Sequence, residues 1–250
     1  MWHLDPQTIR MLVKVVSPDA AEVGRIARTA EHDEELLTAI LEDPRLHSWL
    51  LERPHEMVFI APQAFFAALL HRVRHDLATR TFTHECESGR MVVVFDIQDV
   101  RELIEESAVV AYLSWMLASF VRIHTVTRTV RVRRATWRKY TVSDFDIGSL
   151  LRYVRRIEPQ RRPVVYRRIG EVALFQAGIL PERKPTTDLV VVGTDSYQKA
   201  LEGGGVDPEE TDAISAITDG FLAASKALSF MSEHYLGPLR TKVFEPQVNT

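Results

Sequence analysis

Apolar residues recur along most of this chain at intervals of three and four, the spacing that lines one face of an α-helix. From 62 to 78, Phe66, Leu69, Leu70, Val73 and Leu77 share such a face, which puts His71 and His75 on the opposite side, toward solvent or a site. Near the C-terminus, Ile214, Ile217, Phe221, Ala224, Leu228, Met231 and Tyr235 form a seam of the period that packs a helix lengthwise in a bundle. Leu222 and Phe230 lie off that seam, and either meet a second layer of core or form a subunit contact. Stretches near 31–53, 97–123, 145–157 and 160–179 also read as helices.

Helix starts are marked by a side-chain oxygen followed by proline, at Asp5-Pro6, Ser17-Pro18 and Asp207-Pro208. The oxygen satisfies an orphan amide, and proline has no amide to lose there. Glu210 completes an Asp-x-x-Glu pattern of the capping-box kind, and the preceding Gly203, Gly204 and Gly205 read as a flexible connection between helices. Strand signals are confined to the apolar run Met91 to Phe95 and to Thr125 to Val142, where alternation breaks near Arg133 and Arg134. The second stretch is either a hairpin or a mobile loop. The expected fold is mainly α: a multi-helix, bundle-like single domain over 1–250 with at most a short β-hairpin.

With 46% hydrophobic and 26% charged residues, the chain has the apolar surface that a packed core requires. The most apolar run, Val109 to Val121, is interrupted by Ser114 and Ser119 and followed by Arg122, so it reads as a core helix and not as a membrane span. The N-terminus lacks a secretory pattern and the lone Cys86 has no internal disulfide partner, which together suggest a cytoplasmic protein.

A net charge of −3 conceals a segregation, because residues 122–168 hold fourteen Lys or Arg against Asp144, Asp146 and Glu158, while the rest of the chain is strongly acidic. Arg128, Arg131, Arg133, Arg134, Arg138, Lys139, Arg155 and Arg156 are the candidate anion- or partner-binding residues, interleaved with Trp137, Tyr140 and Tyr153. Guanidinium groups fork onto carboxylate or phosphate, and exposed rings can stack on bases. Pairing with the acidic stretches Glu31 to Glu35, Asp96 to Glu106 and Glu202 to Asp219, within the chain or across a homodimer, is the competing role.

His71 and His75, four apart, are the candidate metal ligands, with His84 and Cys86 downstream. The sequence His-Arg-Val-Arg-His lacks the Glu of a zinc-protease helix, and its two arginines repel a cation. The glycine triplet lacks the Lys-Ser/Thr ending of a phosphate loop, and no motif implies a cofactor.

The stretch Ile169-Gly-Glu-Val-Ala-Leu-Phe-Gln-Ala-Gly-Ile-Leu-Pro-Glu182, followed by Gly193-Thr-Asp-Ser-Tyr197, resembles a pattern of uncharacterised bacterial proteins, Leu-Gly-Asp-x-x-Leu-Phe-x-x-Gly-x-x-Pro-Glu. Glu171 stands where that pattern more often has Asp, and the resemblance carries no activity. The stretch is either a packing module, with Gly170 allowing close helix approach, or a polar site built from Tyr166, Arg168, Glu171 and Tyr197. The reading as a whole is a binding or regulatory module that docks an acidic protein partner or a second copy through its Arg-rich surface. A nucleic-acid-binding protein and a metal-dependent hydrolase using His71 and His75 are the alternatives.

Overall fold

The computed structural model describes residues 2, 4–19, 21–79, 83–87, 90–94, 97–121, 125–133, 136–143, 145–180, 186–237 and 239–244; at residue 55, in the strands and at 241–242 it describes the backbone alone. The chain is mainly α. Helices α1 (Pro6–Val16), α2 (Val23–Ala30), α3 (Glu34–Leu41), α4 (Pro44–Glu52) and α5 (Pro54–Ile60) precede the long α6 (Pro62–Leu77). The hairpin β1 (Thr83–Glu87) and β2 (Arg90–Val94) leads into α7 (Ile97–Glu105) and α8 (Ser107–Val121). A second hairpin, β3 (Thr125–Arg133) and β4 (Thr136–Ser143), is followed by α9 (Ile147–Val154), α10 (Arg162–Ile179), α11 (Thr186–Glu202), α12 (Thr211–Asp219), α13 (Phe221–Met231) and α14 (Leu239–Phe244).

Side-chain caps set many of the breaks. Asp5, Asp33, Asp43 and Asp146 each accept from an amide in the first turn of the helix that follows. The single helix expected over 31–53 is therefore two, divided at Asp43, which caps α4, with Pro44 at its first position. Ser17, by contrast, closes α1 instead of opening a helix at Pro18; its amide donates to the Val13 carbonyl.

The helix expected over 97–123 bends by 90° between α7 and α8, and no single helix among the described residues is long and apolar enough to cross a membrane. The C-terminal seam is likewise divided at Gly220, between α12 and α13, and ends in a π turn at Ser232–Leu236. Its members Ile214, Ile217, Phe221, Ala224, Leu228 and Met231 are nevertheless all buried, so the division turns the helix without exposing the stripe. Phe230 joins the core and Leu222 stays exposed.

Helices α6, α8, α10 and α13 are the inner ones. Twelve of the eighteen residues of α10 and nine of the eleven of α13 are buried, too many for helices with one wet face. Phe120, Phe175 and Phe244 meet at ring centroid distances of 4.4 and 4.8 Å, fastening α8, α10 and α14 together. α3 and α4 pack against α6 and α1 packs against α2, α3 and α4, while α11 lies along α10.

The strand signals resolve into two antiparallel hairpins, each strand pairing, among the described residues, only with its neighbour. In the second, Arg128 stands opposite Tyr140, Thr129 opposite Lys139, Val130 opposite Arg138 and Arg131 opposite Trp137, with an irregularity between Arg131 and Arg133 where the alternation breaks.

Candidate functional site

Close helix approach comes first in the polar centre of the molecule. A Cβ added at Gly170 would lie 2.7 Å from the Tyr197 ring, so only glycine lets α11 seat that tyrosine against α10. Tyr197 is fully buried, and Glu171, the next residue on α10, is 3% exposed. Arg167 Nε donates to Glu171 Oε1 at 3.0 Å and Arg168 donates to Oε2 at 2.9 Å. Tyr112, from α8, donates to Glu171 at 3.2 Å and lies 3.3 Å from the Tyr197 hydroxyl.

Both carboxylate oxygens are therefore engaged by charged donors. Burial, reinforced by Tyr197 and the Glu171 charge, pushes the Tyr112 phenol well above its ordinary range, and burial does the same for Tyr197. Both stay protonated and act as donors. Burial opposes the Arg167 charge, but Tyr112, Glu171 and Glu210 outweigh it and raise its pKa. Arg167 also pairs with Glu210 at 2.6 Å and stacks 4.8 Å over Trp115.

The expected capping box at Asp207 and Glu210 is thus diverted, since Asp207 makes no side-chain cap and both carboxylates turn to Arg167. Of the four polar candidates, Arg168, Glu171 and Tyr197 come together, whereas Tyr166 lies apart, its ring 5.4 Å from the Lys199 ammonium. Arg167 and Tyr112 were not among the expected site residues. Arg167 lies next to one of them, but Tyr112 sits in an apolar run where a tyrosine reads as core. The network binds α8, α10, α11 and the turn before α12, and every Glu171 oxygen already has its donors, which makes it a packing centre and not an open acid-base site.

The two candidate metal ligands part company. His71 is buried and His75 is exposed, which corrects the expectation that both face outward. α6 is covered on the His71 side by Trp2, whose ring lies 5.8 Å away, and by Glu42, 3.3 Å from Nδ1. Burial, with the neighbouring His47, depresses the His71 pKa to about 4. His47 is lowered too, by burial and by Arg72. Arg74 reaches the same Glu42 carboxylate, and His75 pairs with Asp76 instead. Among the described residues no group of three or more His, Cys, Asp or Glu is placed to hold a metal ion; the side chains of His84 and Cys86 lie outside them.

The glycine triplet is also more than a flexible link. Gly204 has φ of +71°, and the Gly205 amide donates back to Ala200, a compact helix stop. A Cβ at Gly205 would lie 2.4 Å from the Pro163 backbone, so the turn is pressed against the start of α10.

The basic candidates divide between two adjoining elements. Arg128, Arg131, Arg133, Arg138 and Lys139 occupy β3 and β4, with their backbones described; Arg134 lies outside the described residues. Arg155 and Arg156 are exposed at the end of α9, which packs against β4. No protein family, curated protein or solved structure matches this chain.

Proposed function

We propose that this chain is a binding module that docks an acidic protein surface through the β3–β4 hairpin and the adjoining end of α9. The observation that carries this reading is the register of the hairpin. Its residues Thr125 to Ser143 contain six cations and no acid, and among the described residues the two strands form a sheet with each other alone. Pairing places Lys139 opposite Thr129, Arg138 opposite Val130 and Arg131 opposite Trp137, so each of these cations has an uncharged partner and the positive charge is spread along both strands of one short ribbon. Six cations without an acid give the ribbon a net positive charge, which an acidic partner complements.

A second reading, nucleic acid, has one specific observation in its favour. The register pairs Arg128 with Tyr140 and Arg131 with Trp137, a basic and an aromatic residue at each of these two positions of the ladder. A two-stranded ribbon fits the major groove, and such pairs suit phosphate contact with base stacking.

Fluorescence anisotropy separates the two, with labelled polyglutamate, duplex DNA and single-stranded RNA as probes. The expected result is polyglutamate binding that falls at least about tenfold in the Arg131→Ala, Arg133→Ala, Arg134→Ala, Arg138→Ala variant. Binding of nucleic acid without polyglutamate would replace the first reading by the second. Binding of neither would overturn both.

A further inference from the structure

Four of the carboxylates outside the basic segment gather around one cleft. Between α7 and the junction of α12 with α13 lies a cleft of about 560 Å³, rimmed by Asp99, Glu102, Glu106 and Asp219 and floored by apolar groups that include Leu103 and Leu222. All four acids are exposed, and among the described residues none of them is in an ion pair. Leu222 is 38% exposed on this floor, although it belongs to a helix that is otherwise almost wholly buried. An open apolar strip fenced by one sign of charge is a surface shaped for a cationic segment with apolar residues between its charges.

We infer that this cleft receives the β3–β4 hairpin of a second copy of the chain, an inference that rests on the reading of the hairpin as the docking element. The match is one of charge and pattern. The hairpin carries Arg128, Arg131, Arg133, Arg134, Arg138 and Lys139 without an acid, interleaved with Val126, Val130 and Trp137. Four carboxylates stand ready for the cations, and the Leu103 and Leu222 floor for the apolar groups. Because each copy has both parts, a two-fold dimer makes the contact twice, and it closes without leaving a hairpin or a cleft over.

The test is sedimentation of the full chain at micromolar concentration, at low and high salt, together with charge-reversed variants. The wild type is expected to run as a dimer that dissociates as salt rises. The pair Glu102→Lys with Asp219→Lys, and separately the pair Arg131→Glu with Arg133→Glu, are expected to give monomers that melt as the wild type does at high salt, where it too is monomeric. An equimolar mixture of the two variants is expected to recover the dimer mass, which a merely misfolded variant could not do. Leu222→Ser, which leaves every charge in place, is expected to weaken the dimer at least about tenfold.

A wild type that is monomeric at every concentration overturns the inference, as does a dimer indifferent to both reversals or a mixture that stays monomeric. If such a monomer still binds polyglutamate through the hairpin, the reading of the hairpin stands and only the second copy is excluded. If it binds no polyglutamate, both fall.

Discussion

Glu171 is the residue on which the interior turns, because its two oxygens hold Arg167, Arg168 and Tyr112 together. Glu171→Gln leaves two largely buried guanidinium groups without their shared counter-charge, and unfolding in urea is expected to show a loss of about 3 kcal/mol. Glu171, Arg168 and Tyr197 were visible in the sequence as the polar members of a patterned apolar stretch, whereas Tyr112 was not, since its contact with Tyr197 joins residues 85 apart. His71 gives a pH-dependent term. Its folded pKa, about 4, lies below the ordinary value of 6.5, so the unfolded chain binds the proton more readily. That contribution to stability is full above about pH 6.5 and is lost as pH falls toward 4. Between pH 7.5 and pH 5 the loss is about 2 kcal/mol, and chemical denaturation of His71→Phe is expected to show a correspondingly weaker dependence, with His47 supplying the remainder.

At the scale of elements, the sequence-based reading holds where the signal is local. Asp5-Pro6 opens α1 and the apolar face from Phe66 to Leu77 marks α6, because cap and stripe are written in consecutive residues. It fails where packing overrides continuity. No proline or glycine separates α7 from α8, yet the chain turns by 90° so that the two helices bury different faces. The apolar stripe continues through Gly220 in sequence, so the seam reads as one helix, and the break becomes visible only once α13 is seated against α7 and α10. The glycine triplet has the same lesson: its composition suggested freedom, and its contact with Pro163 removes it. Gly205→Ala is expected to lower stability by about 1–3 kcal/mol, because the new methyl group enters the space of the α10 N-terminus; a thermal melt reads this directly.

For the whole molecule, the segregation of charge is the feature that reaches from sequence to function. The acidic and basic segments were legible as counts, but the cleft at Asp99, Glu102, Glu106 and Asp219 was not, since α7 and the distant α12–α13 junction make it together. Mainly α packing around α6, α8, α10 and α13 supplies the frame, and the hairpin supplies the charged ribbon attached to it through α9. Docking through the hairpin charge, as proposed, is read most directly from the affinity for polyglutamate as a function of salt, from about 0.05 to 0.3 M, in the wild type and in the quadruple hairpin variant. Such docking predicts an affinity that falls with salt in the wild type and a much flatter dependence in the variant. Equal affinities with equal salt dependence in the two proteins would contradict it.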